Sequence, residues 1–161
     1  MDTLLQALTI LALLGSALIA GVFFAFSSFI MKALAQRPAP EGIAAMQAIN
    51  VTVINPAFLG AFMGTAALCL VLGVLVFLAE SRAADVWVLA GAAAYFIGTF
   101  GVTVVGNIPL NNALAETQPD SAEGQVLWAR YLERWTRFNS LRTVAAGVAA
   151  ACFLAALVSG A

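Results

Sequence analysis

Apolar residues fill four stretches of this chain, residues 4–31, 42–79, 86–115 and 143–161, and none of the four contains a charged side chain. An α-helix needs roughly 20 such residues to cross hydrocarbon, so three stretches are ample and the fourth is just long enough. Local signals sharpen the borders. Asn55-Pro56 reads as an N-cap followed by proline at the first helical position, where the missing N–H costs nothing. Residues 41–54 then form a short helix of their own, opened by Pro38 and Pro40 and lying at the interface. Pro109 removes a backbone donor and disfavours α geometry at Ile108, which predicts a kink or helix end over residues 107–112. Small residues recur every four positions at Ala17, Gly21 and Ala25, at Gly60 and Gly64, and at Gly147, Ala151 and Ala155. Such stripes let helices approach closely in lipid. The pattern predicts an all-α integral membrane four-helix bundle, one domain over residues 1–161. Its spans lie near residues 4–31, 56–79, 86–107 and 139–158, with short interfacial helices in the cytoplasmic connections. A weak internal echo accompanies this: Ala33-Leu34-Ala35 precedes Pro38 and Glu41-Gly42 as Ala113-Leu114-Ala115 precedes Pro119 and Glu123-Gly124. In so alanine-rich a chain, chance suffices to explain it.

Composition supports the membrane assignment, because 63% hydrophobic residues, 9% charged residues and a mean hydropathy of +0.99 cannot be hidden inside a water-soluble globule of 161 residues. A net charge of -1 with scattered Lys and Arg gives no footprint for nucleic acid, which is excluded as a partner. The first stretch lacks a basic leader, since Asp2 and Thr3 stand there, and reads as a retained helix rather than a signal peptide. Lys32 and Arg37 lie in the first connection, Arg130, Arg134, Arg137 and Arg142 in the third, and Arg82 in the second. By the positive-inside rule the first and third connections, residues 32–55 and 116–142, are cytoplasmic and both termini are outside. A bacterial inner membrane is the default setting.

Strongly polar side chains gather at the ends that share this face: Ser27 and Ser28, Asn50 and Asn55, Asn107, Asn111 and Asn112, Asn139 and Arg142. Trp128, Tyr131, Trp135, Asn139 and Arg142 fall at three- and four-residue steps and form one helical stripe. Taken alone, the stripe is better read as an interfacial amphipathic helix, with aromatic rings at headgroup level and arginines reaching phosphates. Helix capping explains Asn55, and bonds back to their own helix explain Ser27 and Ser28. Three asparagines beside a proline at a membrane border are harder to explain so simply, and point to a polar pocket or to bonds between helices. If the four polar ends meet, Arg142 points into the bundle and bonds at least one of Asn107, Asn111 and Asn50, because an unpaired cation there is costly. With no histidine in the chain, haem and His-liganded metals are unexpected, and no metal site is assigned. Cys69 and Cys152 read as buried apolar thiols.

In order, Phe26-Ser27, Met46-Gln47-x-Ile49-Asn50, Asn55-Pro56, Asn107-x-Pro109-Leu110-Asn111, Trp128, Tyr131, Trp135, Asn139 and Arg142-Thr143 resemble the anthrone-oxygenase-like family of small four-helix membrane proteins. The resemblance covers almost the whole chain. It implies a monooxygenase that converts an anthrone to an anthraquinone without a cofactor. Arg142, Asn139, Asn107 and Asn111 would stabilise the substrate anion catalytically, while Phe26, Ser27, Asn50, Tyr131 and Trp135 would bind the flat substrate. Many members carry histidine where Ser140 stands, so an imidazole base does not transfer to this chain. The partners implied are a hydrophobic aromatic small molecule and the lipid bilayer, and assembly as a homo-oligomer stays open. A second reading also stays open: a non-catalytic bundle acting as a small-molecule-binding or accessory subunit, its asparagines locking helices together.

Overall fold

A computed structural model of the chain describes residues 3–78 and 85–160; Asp2, Ala79, Arg82 and Ala161, which entered the sequence reading, lie outside the described residues. The described chain forms α1 (Thr3–Ala35), α2 (Ala39–Thr52), α3 (Pro56–Leu78), α4 (Val86–Ala115) and α5 (Ala122–Ser159). All but α2 are long and apolar enough to span a membrane, so this is a multi-pass membrane protein built as an all-helical four-helix bundle. Helix α1 packs on α3 and α5, and α4 packs on the same two, which closes a square of four spans.

The packing seam can be read from the buried positions. In α1 they are Leu5, Thr9, Ala12, Ser16, Ile19 and Phe23, and in α5 they run from Trp128 through Tyr131, Trp135, Asn139, Arg142, Ala146, Ala149 and Phe153 to Ala156. Steps of three and four residues keep one stripe facing the partner helices, as in a left-handed bundle. The continuity of that stripe corrects the expected fourth span over residues 139–158. Nothing between residues 122 and 142 breaks a helix, so α5 runs unbroken for 38 residues, about 57 Å at 1.5 Å per residue, against a hydrocarbon core of about 30 Å. Only residues 116–121 connect it to α4. Its N-terminal half projects from the membrane end of the bundle and is not a separate interfacial helix.

Around this projection a second small core forms from Met31, Ile43, Met46, Leu114, Trp128, Tyr131 and Trp135. Helix α2 covers it, opening after Pro38 and tied to the end of α4 by Gln47 Nε2, which donates to the Leu114 and Thr117 carbonyls at 2.8 and 2.9 Å. Asn55 then caps α3 as expected, its Oδ1 accepting the Phe58 N–H at 3.0 Å. Here the two echoed segments part: α1 and α4 both end on the second alanine, but Asn55-Pro56 breaks the first copy and nothing breaks α5.

Pro109 neither ends nor interrupts α4. The helix widens into π geometry over Ala94–Gly101 and Thr103–Asn107, and α geometry resumes at Ile108–Ala115 with proline in its first turn. The first turn requires no donor from the proline. A further π turn covers Phe26–Ile30 in α1.

The small-residue stripes also need correcting. Ala17, Gly21, Gly60, Gly64, Gly147 and Ala151 are exposed on the outer surface, and a Cβ built on Gly21, Gly60, Gly64 or Gly147 meets nothing within 4 Å. Close approach occurs elsewhere. A Cβ on Gly98 would sit 2.6 Å from the Ala145 Cβ, and one on Gly91 2.9 Å from the Phe153 ring. A four-residue spacing of small side chains does not say which face turns inward, whereas the larger buried neighbours do. Gly98→Ala should therefore force α4 from α5 and lower stability by about 1–3 kcal/mol, while Gly64→Ala, whose added methyl meets nothing, should leave stability unchanged or raise it by up to about 1 kcal/mol. Denaturant titration in detergent micelles, followed by circular dichroism, measures both.

Candidate functional site

The polar ends of the spans meet where α1, α4 and α5 converge. Arg142 projects inward from α5, 5% exposed, and lies close to one border of the hydrocarbon, about 26 Å along α5 from Ser159. Its Nη2 donates to Asn139 Oδ1 at 2.7 Å and its Nη1 to Thr103 Oγ1 at 3.1 Å. The guanidinium carbon lies 3.9 Å from the centroid of Phe23 and 5.4 Å from that of Trp135, positions in which an aromatic face attracts a cation. Among the described residues its Nε has no partner. The ion pairs Arg37–Glu41 and Arg137–Glu133 lie on the outside, and among the described residues no carboxylate meets Arg142.

The expected bond from Arg142 to Asn107, Asn111 or Asn50 does not form. Asn139 precedes Arg142 by one turn on the same face and Thr103 faces it from α4, so these groups reach the guanidinium first. Asn107 is buried, donating from Nδ2 to the Trp135 carbonyl at 3.2 Å, and its Oδ1 is unbonded among the described residues. Asn111 turns to the neighbouring layer, where its Oδ1 accepts from the Tyr131 hydroxyl and from Trp135 Nε1–H, each at 2.8 Å. An indole N–H can only donate, so this pair fixes the amide orientation and leaves Nδ2 as a donor with no bond among the described residues. Asn50 reaches the same layer from α2, its Nδ2 lying 3.4 Å from the Tyr131 oxygen. Asn112 points outward and is exposed.

Asn139 joins α5 to α1. Its Nδ2 donates to the Phe23 carbonyl and to Ser27 Oγ, both at 2.7 Å, and the Ser27 and Ser140 hydroxyls pair at 2.9 Å, Ser140 giving its own hydrogen to the Thr136 carbonyl. Phe23 lies just before the π turn at Phe26–Ile30, where the i→i−4 ladder is interrupted and a carbonyl can accept from outside the helix. Ser27 therefore bonds across the interface and not back to its own helix, as expected of it. Ser28 does bond back, to the Phe24 carbonyl at 2.6 Å. The interfacial reading of the aromatic stripe fails for the same reason: Trp128, Tyr131 and Trp135 face inward and stack in series, with centroids 5.6 and 5.9 Å apart, while Arg130, Arg134 and Arg137 take the exposed side.

A cavity of about 440 Å³ opens beside this network. Phe26, Asn50, Thr103, Asn111, Trp135 and Arg142 line it, with apolar side chains from the α1 to α4 part of the chain making up the remainder. Asn107, Asn139, Ser27 and Tyr131 stand behind that lining and hold it. Two participants escaped the sequence reading, Phe23 and Thr103. Helical spacing could have found both, since each lies four residues before a residue that was singled out, Ser27 and Asn107. The cavity wall offers hydrogen-bond donors from Arg142 and Asn111 beside aromatic faces, and no carboxylate or thiol reaches it.

A family model described as anthrone oxygenase matches residues 57–152. The match takes in nearly all of α3, the whole of α4 and α5 as far as Cys152, and so includes Asn107, Asn111, Tyr131, Trp135, Asn139 and Arg142. No curated protein and no solved structure matches the chain.

Asn111→Ala strips the acceptor from two enclosed donors, and each unsatisfied group costs about 1–3 kcal/mol. The denaturation midpoint should fall and the emission of Trp135 should shift. Asn112→Ala should change neither quantity when both variants are followed by tryptophan fluorescence in micelles.

Proposed function

The chain belongs to the anthrone oxygenase family, and from that premise we propose that it oxidises a flat aromatic ketone of the anthrone type with molecular oxygen, in the cavity beside Arg142 and without a cofactor. The observation that carries this reading is a buried guanidinium, free of any carboxylate among the described residues, on the wall of a cavity whose remaining lining is aromatic and apolar apart from Asn50, Thr103 and Asn111. An uncompensated cation in a low-dielectric setting favours whichever ligand form brings negative charge to it. An anthrone becomes such a ligand on losing its benzylic proton, with the charge shared by its carbonyl oxygen. A preorganised donor at a developing oxyanion is worth roughly 3 kcal/mol, or about two pKa units of substrate acidity.

The anion is the reductant. It passes one electron to O₂, and the resulting radical pair joins into a carbon–oxygen bond, giving a hydroperoxide after protonation. Loss of water from the hydroperoxide makes the second carbonyl, so anthrone plus O₂ gives anthraquinone plus H₂O. The protein's part is to bind, flatten and charge-stabilise. Trp135 and Phe26, with centroids 5.7 Å apart, offer aromatic walls, and Arg142 and Asn111 direct donors into the space. Glu133 pairs with Arg137 on the outside and does not serve as a base.

One observation favours a second reading. Asn139 and Ser140 bond to Ser27 across α1 and α5, and Tyr131 and Trp135 both bond to Asn111 across α4 and α5, as a network does when its task is to lock helices in a non-catalytic binding or accessory subunit. Oxygen uptake separates the two. Purified protein should accelerate the conversion of 1,8-dihydroxyanthrone to 1,8-dihydroxyanthraquinone, and Arg142→Gln should lower kcat/KM about a hundredfold while the circular dichroism spectrum is retained. A rate equal to that of protein-free buffer would leave the second reading.

We also place the protein in a bacterial inner membrane with the α2 end in the cytoplasm, because Lys32, Arg37, Arg130, Arg134 and Arg137 are exposed at that end. A C-terminal alkaline phosphatase fusion should be active and a C-terminal green fluorescent protein fusion dark; the reverse result would invert the topology.

A further inference from the structure

The cavity beside Arg142 has a floor and a mouth of opposite character. Its floor carries Arg142, whose two Nη groups hold more N–H donors than their bonds to Thr103 and Asn139 use, and Asn111, whose Nδ2 makes no bond among the described residues. Its mouth is rimmed by Ile54, Leu59, Met63, Val104 and Ile108, which line the cavity and are also 69, 38, 47, 45 and 42% exposed on the outside. None of the five is polar. The gap has a cause in the packing: α3 lies against α4 along Asp85–Ala93 and Ala94–Gly101, and does not pack closely on Thr103–Asn107 or Ile108–Ala115.

Depth decides what the mouth faces. Met63 stands about 10 Å along α3 from Pro56, and Val104 about 18 Å along α4 from Glu116, the first charged residue after that stretch, at 1.5 Å per residue. Both positions belong to the apolar part of their spans. At the other end of the cavity the way to water is filled by Met46 of α2, Leu114 of α4 and Tyr131 of α5, all at most 1% exposed. With this second core in place, the cavity opens between α3 and the second half of α4.

Resting on the reading of this cavity as a ligand site, we infer that it is loaded sideways from the bilayer through the slot between α3 and the second half of α4. The ligand is a membrane-dissolved flat amphiphile, with its apolar body passing the rim and its anionic or accepting oxygen ending on Arg142 and Asn111. Such a molecule partitions into the bilayer before it meets the protein, and the polar floor then selects it from the acyl chains around it. A phospholipid chain entering the same slot has no oxygen at its tip to satisfy the floor, so it is displaced.

The test uses the full chain in phospholipid vesicles, with Trp87→Phe and Trp128→Phe leaving Trp135 as the reporter and 1,8-dihydroxyanthraquinone in the membrane as the probe. The probe should quench Trp135 at a rate set by its mole fraction in lipid, and anthracene, which lacks the oxygens, should bind at least about tenfold more weakly. Met63→Phe, Val104→Phe and, separately, Ile54→Phe should slow loading about tenfold with final quenching within about twofold. Ile97→Phe, exposed on α4 away from the rim, should load at the parent rate. Parent-rate loading in all three rim variants, with quenching intact, overturns the lateral entrance and leaves the site standing. Absence of quenching in the unaltered rim overturns the site and the entrance together. Quenching by brominated phospholipid that the probe cannot reverse assigns the slot to an acyl chain and overturns the amphiphile.

Discussion

Burying Arg142 with no counter-charge among the described residues is the constraint on which the site depends. Insertion scales put an arginine at the bilayer centre at about +2.5 to +3.5 kcal/mol, and a position near the border reduces that figure without removing it. The side chain cannot shed its charge, since a guanidinium stays protonated. What offsets the penalty must therefore be dipoles and aromatic faces, and the chain supplies them from three helices: Asn139 on α5, Thr103 on α4 and the Phe23 ring on α1. Each contact then fixes something further away. Because Arg142 takes Asn139 Oδ1, the amide can present only its Nδ2 hydrogens to α1, and Phe23 and Ser27 must offer acceptors there. The π turn at Phe26–Ile30 interrupts the backbone ladder where one of those acceptors is needed.

A parallel argument orders the layer nearer the bundle end. Trp135 shares the α5 seam with Arg142 and has a single donor to satisfy, which Asn111 accepts together with the Tyr131 hydroxyl. The amide is thereby turned so that its own donors face the cavity. Two residues that would satisfy each other if paired, an asparagine carbonyl and an arginine, are each held by other partners. The result is an excess of donors around the space between them, and an excess of donors in low dielectric is a preference for acceptors in whatever fills it.

The spans were legible in the sequence because bilayer crossing is a constraint of length and charge, and both can be counted. The polar ends were legible as a shared face because an up-down bundle returns every second connection to the same side. What could not be read was rotation and continuity. A stripe of Trp128, Tyr131 and Trp135 has the same periodicity whether it faces headgroups or a second core, and its sense became visible only through the unbroken register with Ala146, Ala149 and Phe153. The glycine stripes failed in the mirror sense, being regular and facing outward. Pro109 misled because the local rule assumes an α-helix on its N-terminal side, and the preceding π geometry changes that premise. Arg142 was correctly turned inward, yet its partners were misassigned, because reach along a helix is set by three- and four-residue neighbours before it is set by polarity.

The departure at Ser140 bears on what kind of chemistry such a site can support. Its hydroxyl donates to the Thr136 carbonyl and its oxygen pairs with the Ser27 hydroxyl, so the position contributes to the α1–α5 interface and does not line the cavity. With neither imidazole nor carboxylate on that wall, proton removal has to draw its driving force from stabilising the anion that remains. A charge whose burial costs stability is well suited to that task, since the same low dielectric that penalises the empty state strengthens the attraction once an anion arrives. The energetic defect of the unliganded protein and the affinity of the site then have one origin. It lies in a cation placed where only dipoles, rings and an incoming negative oxygen can answer it.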